Sequence, residues 1–152
     1  MKRLWGAVLL LLVCTCVWAG GEAGRLEPVH DPAVLAFADR IGAFYARLEK
    51  MRLDALTTFE DAELRSYFQG AREFSDYYAL LASQVRSVRF RSARADQILV
   101  REFRFEGEDL AFVDITLVGK HERALRFWSI ELSRTDVWRR TGSIWSLTPD
   151  KL

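Results

Sequence analysis

From Asp31 onward the apolar residues first recur every three or four positions and later every two, and that change of period divides the chain. Val34, Ala38, Ile41, Tyr45, Leu48 and Met51 form one helical stripe, widened by Phe37 and Phe44. Asp31 is placed to cap this helix, with Pro32 at the first helical position, where a missing N–H costs nothing. A shorter helix is expected over 60–68, stopped by Gln69-Gly70. A third is expected over 75–85, with Ser75 as cap and Tyr77, Tyr78, Leu81 and Val85 on its apolar side.

Beyond Arg86 the period is two. Strand character runs through 90–105, but parity slips between the pair Ile98, Val100 and the pair Phe103, Phe105. One extra residue at Arg101-Glu102, a β-bulge, returns both pairs to one face. Gly107-Glu108-Asp109 marks a turn. In the next strand Ala111, Val113, Ile115 and Leu117 form the purer apolar face, while Phe112, Asp114, Thr116 and Val118 form the other. Trp128, Ile130 and Leu132 alternate with polar residues, and Trp138 to Trp145 reads as a hairpin turning at Gly142. Helices followed by strands with short connections predict an α+β domain with an antiparallel sheet.

The first residues follow a different logic. Lys2 and Arg3 precede an apolar run from Leu4 to Trp18, which ends in Ala19-Gly20-Gly21. This is the charged, apolar and small-residue order of a secretory signal, with Val17 and Ala19 before a cut at Gly20. The expected organisation is therefore a signal peptide over 1–19, a flexible tether over 20–30 rich in Gly, Glu and Arg, and one domain over 31–152. The expected location is periplasmic or secreted. Two alternatives keep a membrane partner. The leader stays as an anchor, although a spanning helix wants about 20 apolar residues. Or Cys14 or Cys16 is acylated, although Val13 and Thr15 precede them where a small residue is wanted.

Cleavage after Ala19 removes both cysteines and, with them, any disulfide, thiolate nucleophile or cysteine metal site. It also removes Lys2 and Arg3, the leader's only charges, taking the net charge from +1 to about −1. That balance gives no reason to expect nucleic acid. Arg86, Arg89, Arg91, Arg94, Arg101 and Arg104 are the densest basic stretch and could hold a polyanion. Glu102, Glu106, Glu108 and Asp109 follow closely, so a solvated strand face with cross-strand ion pairs is the plainer reading.

The order of elements resembles the nuclear transport factor 2-like (NTF2-like) superfamily, in its exported bacterial branch without an assigned activity. The resemblance covers residues 31–152. It rests on Phe44-Tyr45 in the first helix, on the 74–81 helix and on the ending DVWRRTGSIWSLTP, where a Gly turn separates two tryptophans. It implies helices closing one side of a curved antiparallel sheet to make a cone. It does not choose between enzymes and binding modules, and none of the enzyme branches' acid–base sets aligns with this chain.

Among candidate residues, Asp114 sits in LAFVDITLV, where desolvation would raise its pKa toward that of a general base. Its other reading is a rim position paired with an arginine of a neighbouring strand. Tyr45, Tyr77 and Tyr78 either point hydroxyls into a cavity or simply pack; Tyr45 and Tyr78, with Asp114, are the expected pocket lining. His30 and His121 read as loop residues without ligand partners, and no cofactor or metal is expected. Ser75, Ser129 and Ser133 lack a nucleophile-elbow setting. Phe112 and Val118 leave an apolar second sheet face, suited to a homodimer interface. The leading functional reading is a non-catalytic binding or interaction domain, holding a small apolar ligand or a protein partner. The rivals are a cone-type lyase or isomerase using Asp114 with a tyrosine hydroxyl, and a membrane-tethered subunit of a larger complex.

Overall fold

The computed structural model describes residues 31–123 and 128–149. The leader, the tether, His30, Cys14 and Cys16 lie outside them. Helix α1 spans Pro32–Glu49, and the Asp31 carboxylate accepts from the Ala33 amide at 2.8 Å, the cap the sequence predicts. Its stripe buries Phe37, Ile41, Phe44, Tyr45 and Leu48.

The expected helix over 60–68 is instead two single turns, α2 (Leu56–Phe59) and α3 (Ala62–Arg65). Asp61 separates them. Its backbone is extended (φ −66°, ψ 112°) and its side chain accepts from the Leu64 amide at 2.9 Å. A short carboxylate that bonds its own backbone stops one helix and starts the next. Helix α4 (Ala71–Val88) begins four residues before Ser75, with Gly70 extended ahead of it, so Ser75 lies inside the helix rather than capping it. Phe74, Tyr77, Leu81 and Val85 form its buried side.

Four strands follow: β1 (Gln97–Phe105), β2 (Leu110–Lys120), β3 (Ser129–Thr141) and β4 (Ile144–Thr148). They pair antiparallel in chain order, as a meander. Strand β1 starts later than expected. Arg89 ends α4 in the left-handed conformation, Phe90 forms only an isolated bridge with His121, and 91–93 make a short 3₁₀ turn. The predicted bulge is present: the β1–β2 register shifts between Val100 and Glu102, leaving Arg101 as the extra residue. Gly142, at φ 64°, is the positive-φ residue of the β3–β4 turn.

Ala111, Val113, Ile115 and Leu117 all face the helices, and Trp138, Leu147, Ile98 and Phe103 join them. Phe37 anchors an aromatic cluster, with ring centroids 4.7 Å from Trp145, 5.2 Å from Phe105 and 5.4 Å from Phe103. The fold is therefore α+β, with helices on one face of a four-stranded antiparallel sheet. The opposite face carries half-buried Phe112, Val118 and Val137 among polar side chains.

Candidate functional site

Strand β3 supplies the one buried carboxylate among the described residues. Its inward register runs Ile130, Leu132, Arg134, Asp136, Trp138, because alternate residues of a strand share a face. Two charges thus enter an otherwise apolar interior side by side. Arg134 donates its Nε–H to Asp136 Oδ1 at 2.8 Å, and its Nη2 makes an ion-pair contact with the same oxygen at 2.8 Å. The two side chains are 6% and 0% exposed.

The helices complete the shell. Tyr45, on the stripe of α1, donates its hydroxyl to Asp136 Oδ2 at 2.7 Å, and Tyr77, on α4, donates to the same oxygen at 3.0 Å. Two turns beyond Tyr77 on α4, Gln84 Oε1 accepts from Arg134 Nη1 at 2.9 Å. The guanidinium also lies 4.7 Å above the Tyr77 ring. A carboxylate offers about four lone-pair positions; three accept hydrogen bonds, and the second guanidinium nitrogen lies in ion-pair contact with Oδ1.

The electrostatics follow from burial. Desolvation pushes the Tyr45 and Tyr77 hydroxyls well above their ordinary range, and the adjacent Asp136 charge adds to it. Burial works against the Arg134 cation, but Tyr77 and Asp136 outweigh it and hold its pKa above the usual value. The Trp138 indole N–H lies beside the Tyr45 hydroxyl, yet it forms no well-shaped hydrogen bond and is an unpaired buried donor.

The expected pocket residues do not come together. Tyr45 is inside, bound to Asp136. Tyr78 is at the margin: its hydroxyl donates to the Ala55 carbonyl at 2.6 Å and its ring packs with Phe59 and Phe74. Burial raises its pKa, with Asp54 adding to the rise and Arg86 opposing it. Asp114 lies on the opposite face of the sheet from Tyr45. There Arg104, on β1, donates to it at 2.8 Å and the Thr135 hydroxyl donates to its other oxygen. The Thr135 hydrogen bond, with the hydrogen bond and charge of Arg104 adding to it, holds its pKa below the usual carboxylate value, although what burial there is pulls the other way. Of the two sequence readings of Asp114, the desolvated base is not what is found; the rim carboxylate paired with an arginine of a neighbouring strand is. Phe112, on the same face, lies under Arg104 at 5.0 Å.

His121 also differs from expectation. It is buried rather than exposed, and its Nδ1 accepts from the Arg123 amide at 3.1 Å. Among the described residues, no three His, Cys, Asp or Glu side chains gather as a metal-binding group.

Sequence reading missed Arg134, Asp136 and Gln84. The available signal was β3 itself: Ile130 and Leu132 alternate inward, and the same parity continues through Arg134 and Asp136 to Trp138. Reading 128–133 and 138–145 as separate elements left the two charges between strands.

Described residues line surface cavities at several places. One of about 490 Å³ lies where α4 ends. One of about 360 Å³ lies between the start of α1 and Phe105 and Trp145. A polar depression of about 280 Å³ lies around Asp114 and Thr135. None of these three is lined by Tyr45, Tyr77 or Asp136. No protein-family model, curated protein or solved structure matches the chain.

Proposed function

We propose that this chain is an exported, non-catalytic binding or interaction module of NTF2-like design, released from its leader after Ala19 and working as a homodimer. The observation that supports it best is the closed state of the interior. The carboxylate positioned to act as a general base, Asp136, already accepts from two hydroxyls and from the Nε of a guanidinium whose Nη2 is in ion-pair contact with it. A base must instead present a free lone pair to a substrate proton. Asp136 and its partners serve as a clamp joining α1, α4 and β3, and recognition is left to the surface.

The outer sheet face supplies that surface. The described helices cover one side of the sheet, and Phe112, Val118 and Val137 sit half-buried on the other. A second copy laid on this face would complete their burial. The groove beside Phe105 and Trp145 is the matching place for a small apolar ligand. A lyase or isomerase built on Asp114 gains nothing from this geometry, because Asp114 and the Tyr45 hydroxyl lie on opposite faces.

Native mass spectrometry tests the reading. The expected species is a dimer of chains beginning at Gly20, and Phe112→Lys is expected to yield a folded monomer. A folded Phe112→Lys protein with unchanged assembly would remove the dimer interface from this face.

A further inference from the structure

The last turn of α4 and the segment after it enclose a feature independent of the outer sheet face. Arg86 from α4, Arg89 at its C-terminal cap and Arg52 from the segment after α1 line the cavity of about 490 Å³. Its apolar wall is Val85, Phe90 and Ala93, all buried. Guanidinium groups at the rim and an apolar wall behind them are what an amphipathic anion requires.

The arginines are only loosely engaged. Arg52 Nη2 lies 3.4 Å from Asp54, and Arg89 Nη1 lies 3.6 Å from Glu122. Both are longer than a charge-assisted hydrogen bond of about 2.7–2.9 Å. Arg86 makes no ion pair among the described residues. Planar forks with donors to spare match a carboxylate in two-pronged fashion. Asp54 and Glu122 on the same rim offset part of the positive charge, and the negative end of the α4 dipole adds to them. That balance selects a single negative charge over a polyanion.

The backbone here is strained and held in place. Arg89, Ser92 and Ala93, at φ 59°, 54° and 47°, are the non-glycine positive-φ residues of the described chain, and all three line this cavity. Such a conformation is unfavourable for a residue with a Cβ and persists only where its surroundings impose it. Those surroundings are visible. The Ala93 carbonyl accepts from Leu53 at 2.8 Å and the Arg89 carbonyl from Glu122 at 2.9 Å. Phe90 is seated over Gly119, where a Cβ would come within 3.3 Å of its ring. A helix end in this conformation ordinarily takes glycine; an arginine there accepts strain and places a guanidinium on the rim.

We propose that this cavity binds a small organic carboxylate, the three arginines taking the head and Val85, Phe90 and Ala93 the apolar body. The test is calorimetric titration of the whole chain with benzoate, phenylacetate and hexanoate, with benzyl alcohol as the uncharged control. At least one acid is expected to bind saturably and benzyl alcohol not at all. Arg86→Gln combined with Arg89→Gly is expected to weaken binding about tenfold or more, the worth of one charged hydrogen bond. Its melting temperature should hold or rise, because glycine relieves the left-handed position. Should that variant misfold, Arg52→Gln, an exposed substitution, is expected to weaken the same acid several-fold. No saturable acid binding, equal binding by a folded variant, or equal binding of benzyl alcohol would each overturn the site.

Discussion

Asp114 and Asp136 lie one rung apart on neighbouring strands: Asp114 pairs with Thr135 and Asp136 with Val113. Both accept from an arginine and from hydroxyl groups. Asp136 has Arg134, Tyr45 and Tyr77; Asp114 has Arg104 and Thr135. The chemistry of the two shells is nearly the same, and the difference is water. The Asp136 side chain is 0% exposed and that of its arginine 6%; for Asp114 and Arg104 the values are 29% and 56%. In the interior every lost partner leaves a desolvated charge, whereas on the outer face water replaces it. An ion pair is therefore a structural commitment on one side of this sheet and a minor ornament on the other.

The sharpest way to break the comparison is Asp136→Ala. It strands the buried Arg134 cation and two hydroxyls, and a loss of about 3–5 kcal/mol in urea unfolding is expected. A loss under 1 kcal/mol would show that water already reaches this network.

Next in size are Tyr45→Phe and Tyr77→Phe, each expected to cost about 1–3 kcal/mol by leaving Asp136 Oδ2 short of a donor. They also carry a pH signature. The folded pKa of each tyrosine is raised above the unfolded value near 10.0. Above pH 10 the unfolded chain loses these protons while the folded chain keeps them. Stability is thus fully present below pH 10 and falls as pH rises further, by about 1.4 kcal/mol per pH unit for each tyrosine. Each Phe variant should shed its share of that alkaline slope.

Asp114→Asn is the smallest change, within about 1 kcal/mol at neutral pH, as for exposed pairs. Its folded pKa lies below the ordinary value of 3.8, so its contribution is present above that pH and fades as the pH falls through the folded value. The Asn variant should differ from the parent at neutral pH and converge with it in acid. A cost matching that of Asp136→Ala would mean that the outer face is dry, as a tight sheet-to-sheet dimer would make it.

Much of the fold was readable because it depends on local geometry. Asp31-Pro32 starts α1 wherever it is placed, since the cap and the fixed φ act within one turn. The parity slip at Arg101 announces its bulge, because side chains alternate with a period of two in any strand. Elements ended less legibly where two local rules competed. Asp61 could continue a helix or cap one, and its contact with the Leu64 amide decided it. The end of α4 was hidden because Arg89 occupies a conformation that a sequence ordinarily marks with glycine.

The site was less legible for a reason of range. In the chain, Arg134 and Asp136 fall between two stretches read as separate strands, and Asp114 amid LAFVDITLV reads either as a desolvated acid or as a rim residue paired with an arginine. The fold puts the first pair inside and gives Asp114 the rim position with Arg104. Asp136 is kept inside by hydroxyls 91 and 59 residues away along the chain. No short window contains them, and burying a charge is affordable only where such partners converge. The sequence alone thus determined the periods, turns and bulge, each set by a few neighbouring dihedrals. The tertiary structure alone decided which carboxylate loses its water, because desolvation depends on what every other element brings to that point.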